Sequence, residues 1–224
     1  SSGFSLATDH EREFTGLAFY SIADGTWAYV DTPDADIENY ALSKDGTRMI
    51  WCVNEGGRSR LYGRDLVSGA ALTLPDLPLG VIGGMALSPD GERLALTLGR
   101  PTEASNLYEF FLETGKLIPL GQSMIGGIDP AEMLDPELIA YPTFDGRQIP
   151  AWLYRPKGEG KFPVILSIHG GPDAQERPGY AYNGLYQYLI SRGFGVLAPN
   201  IRGSTGYGKS YQKLIYRDWG GAEL

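Results

Sequence analysis

The chain has 224 residues but only one cysteine and two histidines. A single thiol, Cys52, excludes an internal disulfide and fits a reducing compartment, so a cytoplasmic location is the expectation. Cys52 lies inside the apolar run Met-Ile-Trp-Cys-Val, where it reads as a small buried hydrophobe. No apolar run approaches the ~20 residues that span a bilayer, which argues against a membrane partner. The first residues, SSGFSLATDHEREF, have no basic segment followed by an apolar core, so they are not a secretory signal. They also lack a starting Met, and the expectation is that sequence upstream has been removed. Runs of Lys and Arg are missing too, and the formal net charge is -8. Nucleic acid is therefore not expected as a partner, because neutralising phosphates needs clustered positive charge.

What is present is a chain rich enough in apolar residues, at 42%, to build a packed core in one large domain or two small ones. Its first half repeats. ALSKDGTRMI from Ala41 returns as ALSPDGERLA from Ala86, and LYGRDLVSGA from Leu61 is echoed by LYEFFLETGK from Leu107. Within each unit, Asp-Gly, Gly-Gly or Ser-Gly separates short alternating runs, and Gly supplies the φ > 0 that tight hairpins need. The stretch ALTL after Ser68-Gly69 reads as a fourth strand of the first unit. Four strands in roughly 45 residues is the spacing of a β-propeller blade, and a meandering sheet or sandwich is the alternative. About two and a half blades are present where a closed ring takes 4 to 8, so further blades are expected upstream. The rhythm changes at Gly121. The expected division is residues 1–120 as partial β-propeller, 121–137 as linker, and 138–224 as a second, α/β unit.

In that second unit, LIAYPTF and RQIPAWLYRP flank Asp145-Gly146 as an antiparallel pair. FPVILSIHGG reads as a central strand buried on both faces. Tyr182, Leu185, Tyr186 and Leu189 have the spacing of one helix face, and the helix is expected to stop at Gly193. FGVLAPN is a further buried strand. Strand, helix and strand in this order make a βαβ unit with parallel strands.

GSTGYGKS, residues 203–210, fits the phosphate-binding pattern G-x-x-x-x-G-K-[ST]. Three features oppose a nucleotide site. Arg202 stands where the loop turns, the helix that follows meets Gly220-Gly221 after a few turns, and no later apolar strand ends in a Mg²⁺-holding Asp. An open surface loop is expected instead.

SIHGGP, residues 167–172, points elsewhere. An HGG-type loop after a strand supplies an oxyanion-hole amide in α/β-hydrolases, and glycine lets backbone approach a substrate without a Cβ in the way. Gly171 first, and Gly170 second, are the expected donors, with His169 in the same loop. The alternative is a tight turn in which His169 packs locally. Arg202 follows the strand FGVLAPN, at the strand end where α/β sheets bind ligands. It is the candidate for substrate binding and for anchoring the glycine loop.

TFDGRQIPAWLYRP, PVILSIHGGP, YLISRGFGVLAPNIRGSTGYGKSY and RDWGGAEL, taken together, resemble the first half of the catalytic domain of prolyl oligopeptidase family serine peptidases. Within the family, the acylaminoacyl-peptidase and dipeptidyl-peptidase-like branch is nearest. The resemblance implies a fold of β-propeller blades followed by the N-terminal half of an α/β-hydrolase domain. It also implies hydrolysis of short peptides by a Ser-Asp-His triad, with no cofactor and no metal. The implied partners are a short peptide substrate and the remaining half of the catalytic domain. A homo-oligomer is left open.

The triad itself is not in the sequence. No G-x-S-x-G elbow occurs. GQSMIGG from Gly121 misses it because Ile125 replaces the second glycine, and Ser204 follows Arg202-Gly203. His10 sits in a polar stretch and reads as solvated surface, while His169 precedes any nucleophile. The chain is therefore expected to be an inactive part of a longer peptidase. A carboxylesterase on the same fold, or a non-enzymatic propeller-based binding module with a hydrolase remnant, are the competing readings.

Overall fold

The computed structural model describes residues 3–125, 129–171 and 173–222. Strands β1 (Gly3–Thr8), β2 (Gly16–Ser21) and β3 (Thr26–Asp31) form an antiparallel meander. A second meander follows, of β4 (Asp36–Leu42), β5 (Arg48–Glu55) and β6 (Arg58–Asp65). A third has four strands in the order β10-β9-β8-β7, from β7 (Val81–Leu87), β8 (Arg93–Arg100), β9 (Glu103–Phe111) and β10 (Lys116–Pro119). The two ALSxDGxR repeats occupy matching places, each running from the first strand of its sheet into the second. The turns close alike: Ser43 Oγ donates to Asp45 Oδ1 at 2.6 Å, and Ser88 Oγ donates to Asp90 Oδ1. ALTL departs from the expected fourth strand, because Ala71 makes only an isolated bridge to Arg64.

The run Met-Ile-Trp-Cys-Val explains how these sheets stack. Side chains alternate across a strand, so an apolar residue at every position is useful only where both faces are covered. In β5, Ile50 and Cys52 pack with Leu94, Leu96, Leu98 and Phe110 of the third sheet. Met49, Trp51 and Val53 pack with Leu17 of the first and Ile37 of β4. Cys52 is fully buried, and burial pushes its thiol up to about 11.

The last sheet is mixed, in the order β11-β12-β14-β13. Its strands are β11 (Glu137–Pro142), β12 (Gln148–Tyr154), β13 (Val164–Leu166) and β14 (Gly195–Pro199). β11, β12 and β14 pair antiparallel, and β13 pairs parallel with β14. The parallel pair flanks helix α1 (Leu185–Ser191), as the βαβ reading requires. Trp152, Tyr154, Val196 and Ala198 share one face, covered by Tyr186 and Ile190 of α1.

Two expectations change here. β13 is an edge strand with Val164 and Leu166 about half exposed, at 52% and 56%. Among the described residues no strand pairs with its other side. The buried face of α1 carries Tyr186, Gln187 and Ile190, while Tyr182 and Leu185 are exposed. The reason is local. Tyr182 and Asn183 have φ of 48° and 55°, which breaks the helical register the spacing assumed. A short α2 (Lys209–Gln212) runs on into a 3-10 turn at Lys213–Ile215.

Candidate active-site loops

Two loops meet at the C-terminal ends of the parallel strands. The first follows β13 and holds Ser167 to Gly171; the second follows β14 and holds Asn200 to Gly208. His169 is buried, and its Nε2 lies 2.9 Å from the Oγ of Ser204. Ser204 Oγ donates to the Ile201 carbonyl at 2.6 Å. A hydroxyl has one proton to give, and here it goes to the Ile201 carbonyl, while His169 Nδ1 lies 3.2 Å from the Gly170 carbonyl, so the imidazole is held between the two loops at both nitrogens. The distance alone would suit a nucleophile and its base. Ser204 is 0% exposed, however, and its proton is committed to the backbone, so the pair ties two loops together and presents no nucleophile.

Gly170 and Gly171 are exposed and lie outside any strand or helix. Among the described residues, neither amide donates a hydrogen bond. Gly171 has φ 140°, and a Cβ there would come within 3.0 Å of the Ala174 side chain. Pro172 of the same motif lies outside the described residues, as do 126–128 of the linker segment.

Arg202 is 5% exposed. Its Nη2 donates to Asp145 Oδ1 at 2.6 Å and to Thr143 Oγ1 at 2.7 Å, its Nη1 donates to the Ala222 carbonyl at 2.8 Å, and its guanidinium stacks 4.9 Å from the Phe144 ring. It joins the β11–β12 turn to the glycine loop. Bonds from Thr143 and the Arg147 amide, followed by Arg202, hold the Asp145 carboxyl down to about 2.

The phosphate-loop match has a structural explanation. Gly203 has φ 93°, and a Cβ there would sit 2.5 Å from Ile215, so that glycine serves close packing. The loop is packed and not open: Gly203, Ser204 and Gly208 are buried. Several of its amides are taken. Gly203 N–H bonds the Tyr211 carbonyl, Ser204 N–H bonds Ile201, Thr205 N–H bonds Ala174, and Ser210 N–H bonds the Glu13 carboxylate at 2.7 Å. Lys209 Nζ pairs with Asp9 at 2.9 Å. The Glu13 carboxylate already accepts from both the amide and the hydroxyl of Ser210.

Sequence reasoning passed over three groups near this site. Glu176 is 6% exposed, and burial raises its carboxyl to about 7, opposed by a bond from Tyr186. Tyr186 Oη lies 2.6 Å from Ser167 Oγ, and burial raises the phenol. Arg177 reaches back to Glu38 of β4. A glutamate and an arginine beside Gln175 and Pro178 look like ordinary surface, and no local signal marks them. His10 is exposed, as expected, and stacks on Trp27. Among the described residues no helix is long and apolar enough to cross a membrane.

This arrangement of strands and loops is a shared one. The model for the prolyl oligopeptidase family matches residues 180–224. Uncharacterized peptidase YuxL of Bacillus subtilis is 34% identical over 152 residues, covering 63% of this chain and 22% of the relative. Dipeptidyl-peptidase 4 of Giardia intestinalis is 31% identical over 121 residues, covering 52% of this chain and 16% of its own length. Among solved structures, a puromycin-hydrolyzing peptidase of Mycobacterium tuberculosis superposes with a TM-score of 0.85 at 20% identity, covering 99% of this chain and 36% of that one. An acylaminoacyl peptidase of Pyrococcus horikoshii superposes with a TM-score of 0.70 at 21% identity, with the same coverages. The fold is thus β-propeller blades followed by the first strands of an α/β-hydrolase domain, and the C-terminal segment is similar to the prolyl oligopeptidase family. The chain spans 22% of the first of these relatives and about a third of the structures.

Proposed function

We propose that these residues are part of a serine-type peptidase that hydrolyses peptide or acyl-amino-acid bonds of short peptides. One observation carries the reading: two exposed glycine amides, free of partners among the described residues, lie in the loop that follows a parallel strand. In acyl transfer a serine Oγ attacks the carbonyl carbon, a histidine takes the hydroxyl proton, and negative charge collects on the carbonyl oxygen. The amide of Gly171, with Gly170 second, stabilises that oxygen. Losing one such donor costs about 10²–10³ in rate. His169 holds the donor loop through Ser204. Arg202 anchors the glycine loop on the substrate side of the sheet, so it would bind substrate through the loop it shapes. Serine, aspartate and histidine of the triad come from sequence outside these 224 residues, since no G-x-S-x-G elbow is present. The rest of the catalytic domain is therefore a partner, the blades restrict entry to short peptides, and the location is cytoplasmic. No cofactor takes part.

Fluorophosphonate labelling tests this. The full-length gene product is expected to label stoichiometrically at one serine, and the 224-residue chain is expected not to label. Labelling of a serine within the chain would place the active site elsewhere. An unlabelled full-length product would favour the non-enzymatic binding module.

A further inference from the structure

The segment after Gly171 is fastened to the second meander, more than a hundred residues away in sequence. The Arg177 guanidinium makes a two-point pair with Glu38, Nη1 to Oε1 at 2.7 Å and Nη2 to Oε2 at 3.0 Å. Its Nε donates to the Gly57 carbonyl at 2.8 Å, and Nη2 lies 3.4 Å from Ser59 Oγ. All three nitrogens are thus used. Beside this, buried Asn54 donates from Nδ2 to Gln175 Oε1 at 2.7 Å and to Glu38 Oε1 at 3.0 Å, and accepts the Gly57 amide on Oδ1 at 2.8 Å. The far side of the segment is held too: Glu176 N–H bonds Asn200 Oδ1 at 2.7 Å, and the Ala174 carbonyl accepts the Thr205 amide at 2.9 Å.

We propose that Arg177 is a positioning residue: through Glu38 and the β5–β6 turn, the blade sheet fixes residues 173–178 and thereby the place of the Gly170 and Gly171 amides. The proposal rests on the acyl-transfer reading above. A two-point arginine–carboxylate pair defines orientation as well as distance. Both side chains are half-buried, at 21% and 23% exposure, which shields the pair from full solvent screening. An oxyanion donor works only where the oxygen develops its charge, and a displacement of 1 Å can cost about 10²-fold in rate. A loop of glycines cannot hold such a tolerance alone, and Arg177 supplies the rigidity six residues on.

The test has two arms. In this chain, Arg177→Met is expected to speed hydrogen exchange of the Glu176 and Thr205 amides by about 10-fold or more, as loss of a local closing contact does. Amides of β8 serve as the control and should not change. In the full-length gene product, kcat per fluorophosphonate-titrated site is expected to fall about 10-fold with KM within about 2-fold, because only transition-state contact is lost. Glu38→Gln should give a smaller fall in the same direction, and Arg177→Lys should recover part of kcat by restoring the charge. Wild-type exchange in Arg177→Met would overturn the proposal, as would faster exchange with unchanged kcat per site. Faster exchange together with a full-length product that never labels would sink the acyl-transfer reading and sustain the latch.

Discussion

His169 Nε2 and Ser204 Oγ, 2.9 Å apart, join the loop after β13 to the loop after β14. Removing the hydroxyl leaves a buried imidazole nitrogen without its partner and the Ile201 carbonyl without its donor. Ser204→Ala is therefore expected to destabilise the chain by about 1–3 kcal/mol, read as a lower urea midpoint at unchanged slope. A variant as stable as wild type would mean that the two loops are held together by other contacts.

Arg202 gives an acid-side prediction. The Asp145 carboxyl is held down to about 2 from its ordinary 3.8. The folded state therefore favours the ionised form, so this contribution is complete above pH 3.8 and is lost as pH falls toward 2. Asp145→Asn should flatten the stability profile in that window. Arg202→Lys should cost about 1–2 kcal/mol, because a lysine head cannot serve Thr143 and the Ala222 carbonyl in the same fork. An unchanged acid profile in Asp145→Asn would assign the acid transition to other carboxylates.

Glu176 works in the opposite direction. Its folded carboxyl is raised to about 7 from 4.5. Between these values the unfolded state has released a proton that the folded state keeps, so stability declines as pH rises from 4.5 to 7 and then levels. Glu176→Gln should remove that decline and stabilise the chain at pH 8 by up to roughly 3 kcal/mol. Denaturant titrations at pH 5 and pH 8 decide it; equal pH dependence in both proteins would show that Glu176 is ionised in the fold.

Cys52 should be silent. A fully buried thiol raised to about 11 offers almost no thiolate at pH 7.5. Iodoacetamide is expected to alkylate it only in denaturant, and rapid native alkylation would mean that the stacked sheets around β5 open readily.

The GSTGYGKS loop should ignore nucleotides. With Glu13 accepting from both the amide and the hydroxyl of Ser210, Mg-ATP would meet a carboxylate in place of free donors. Calorimetry is expected to show no binding, and a micromolar Kd would contradict the bonding pattern.

What could be read in the sequence was whatever neighbouring residues decide among themselves. Alternation and Asp-Gly turns marked β4, β5, β7 and β8, and the apolar run of β5 marked Cys52 as a buried hydrophobe. The order strand, helix, strand foretold the parallel pair β13 and β14. His-Gly-Gly marked the loop, since glycines after a strand signal close backbone approach. ALTL misled because a propensity for strand does not supply a pairing edge. α1 misled because two left-handed residues, Tyr182 and Asn183, rotate the face that the spacing assigned.

Most strands, their turns and the glycine loop are legible locally, because those depend on sterics and hydrogen bonds within a few residues. It took the packed fold to bring His169 to Ser204, Glu13 to Ser210 and Arg177 to Glu38, and to bury Glu176 so that its carboxyl is raised. Each depends on which surfaces the fold brings together, and on how far burial then strengthens or penalises a charge. No stretch of sequence encodes that dielectric environment before the sheets have stacked.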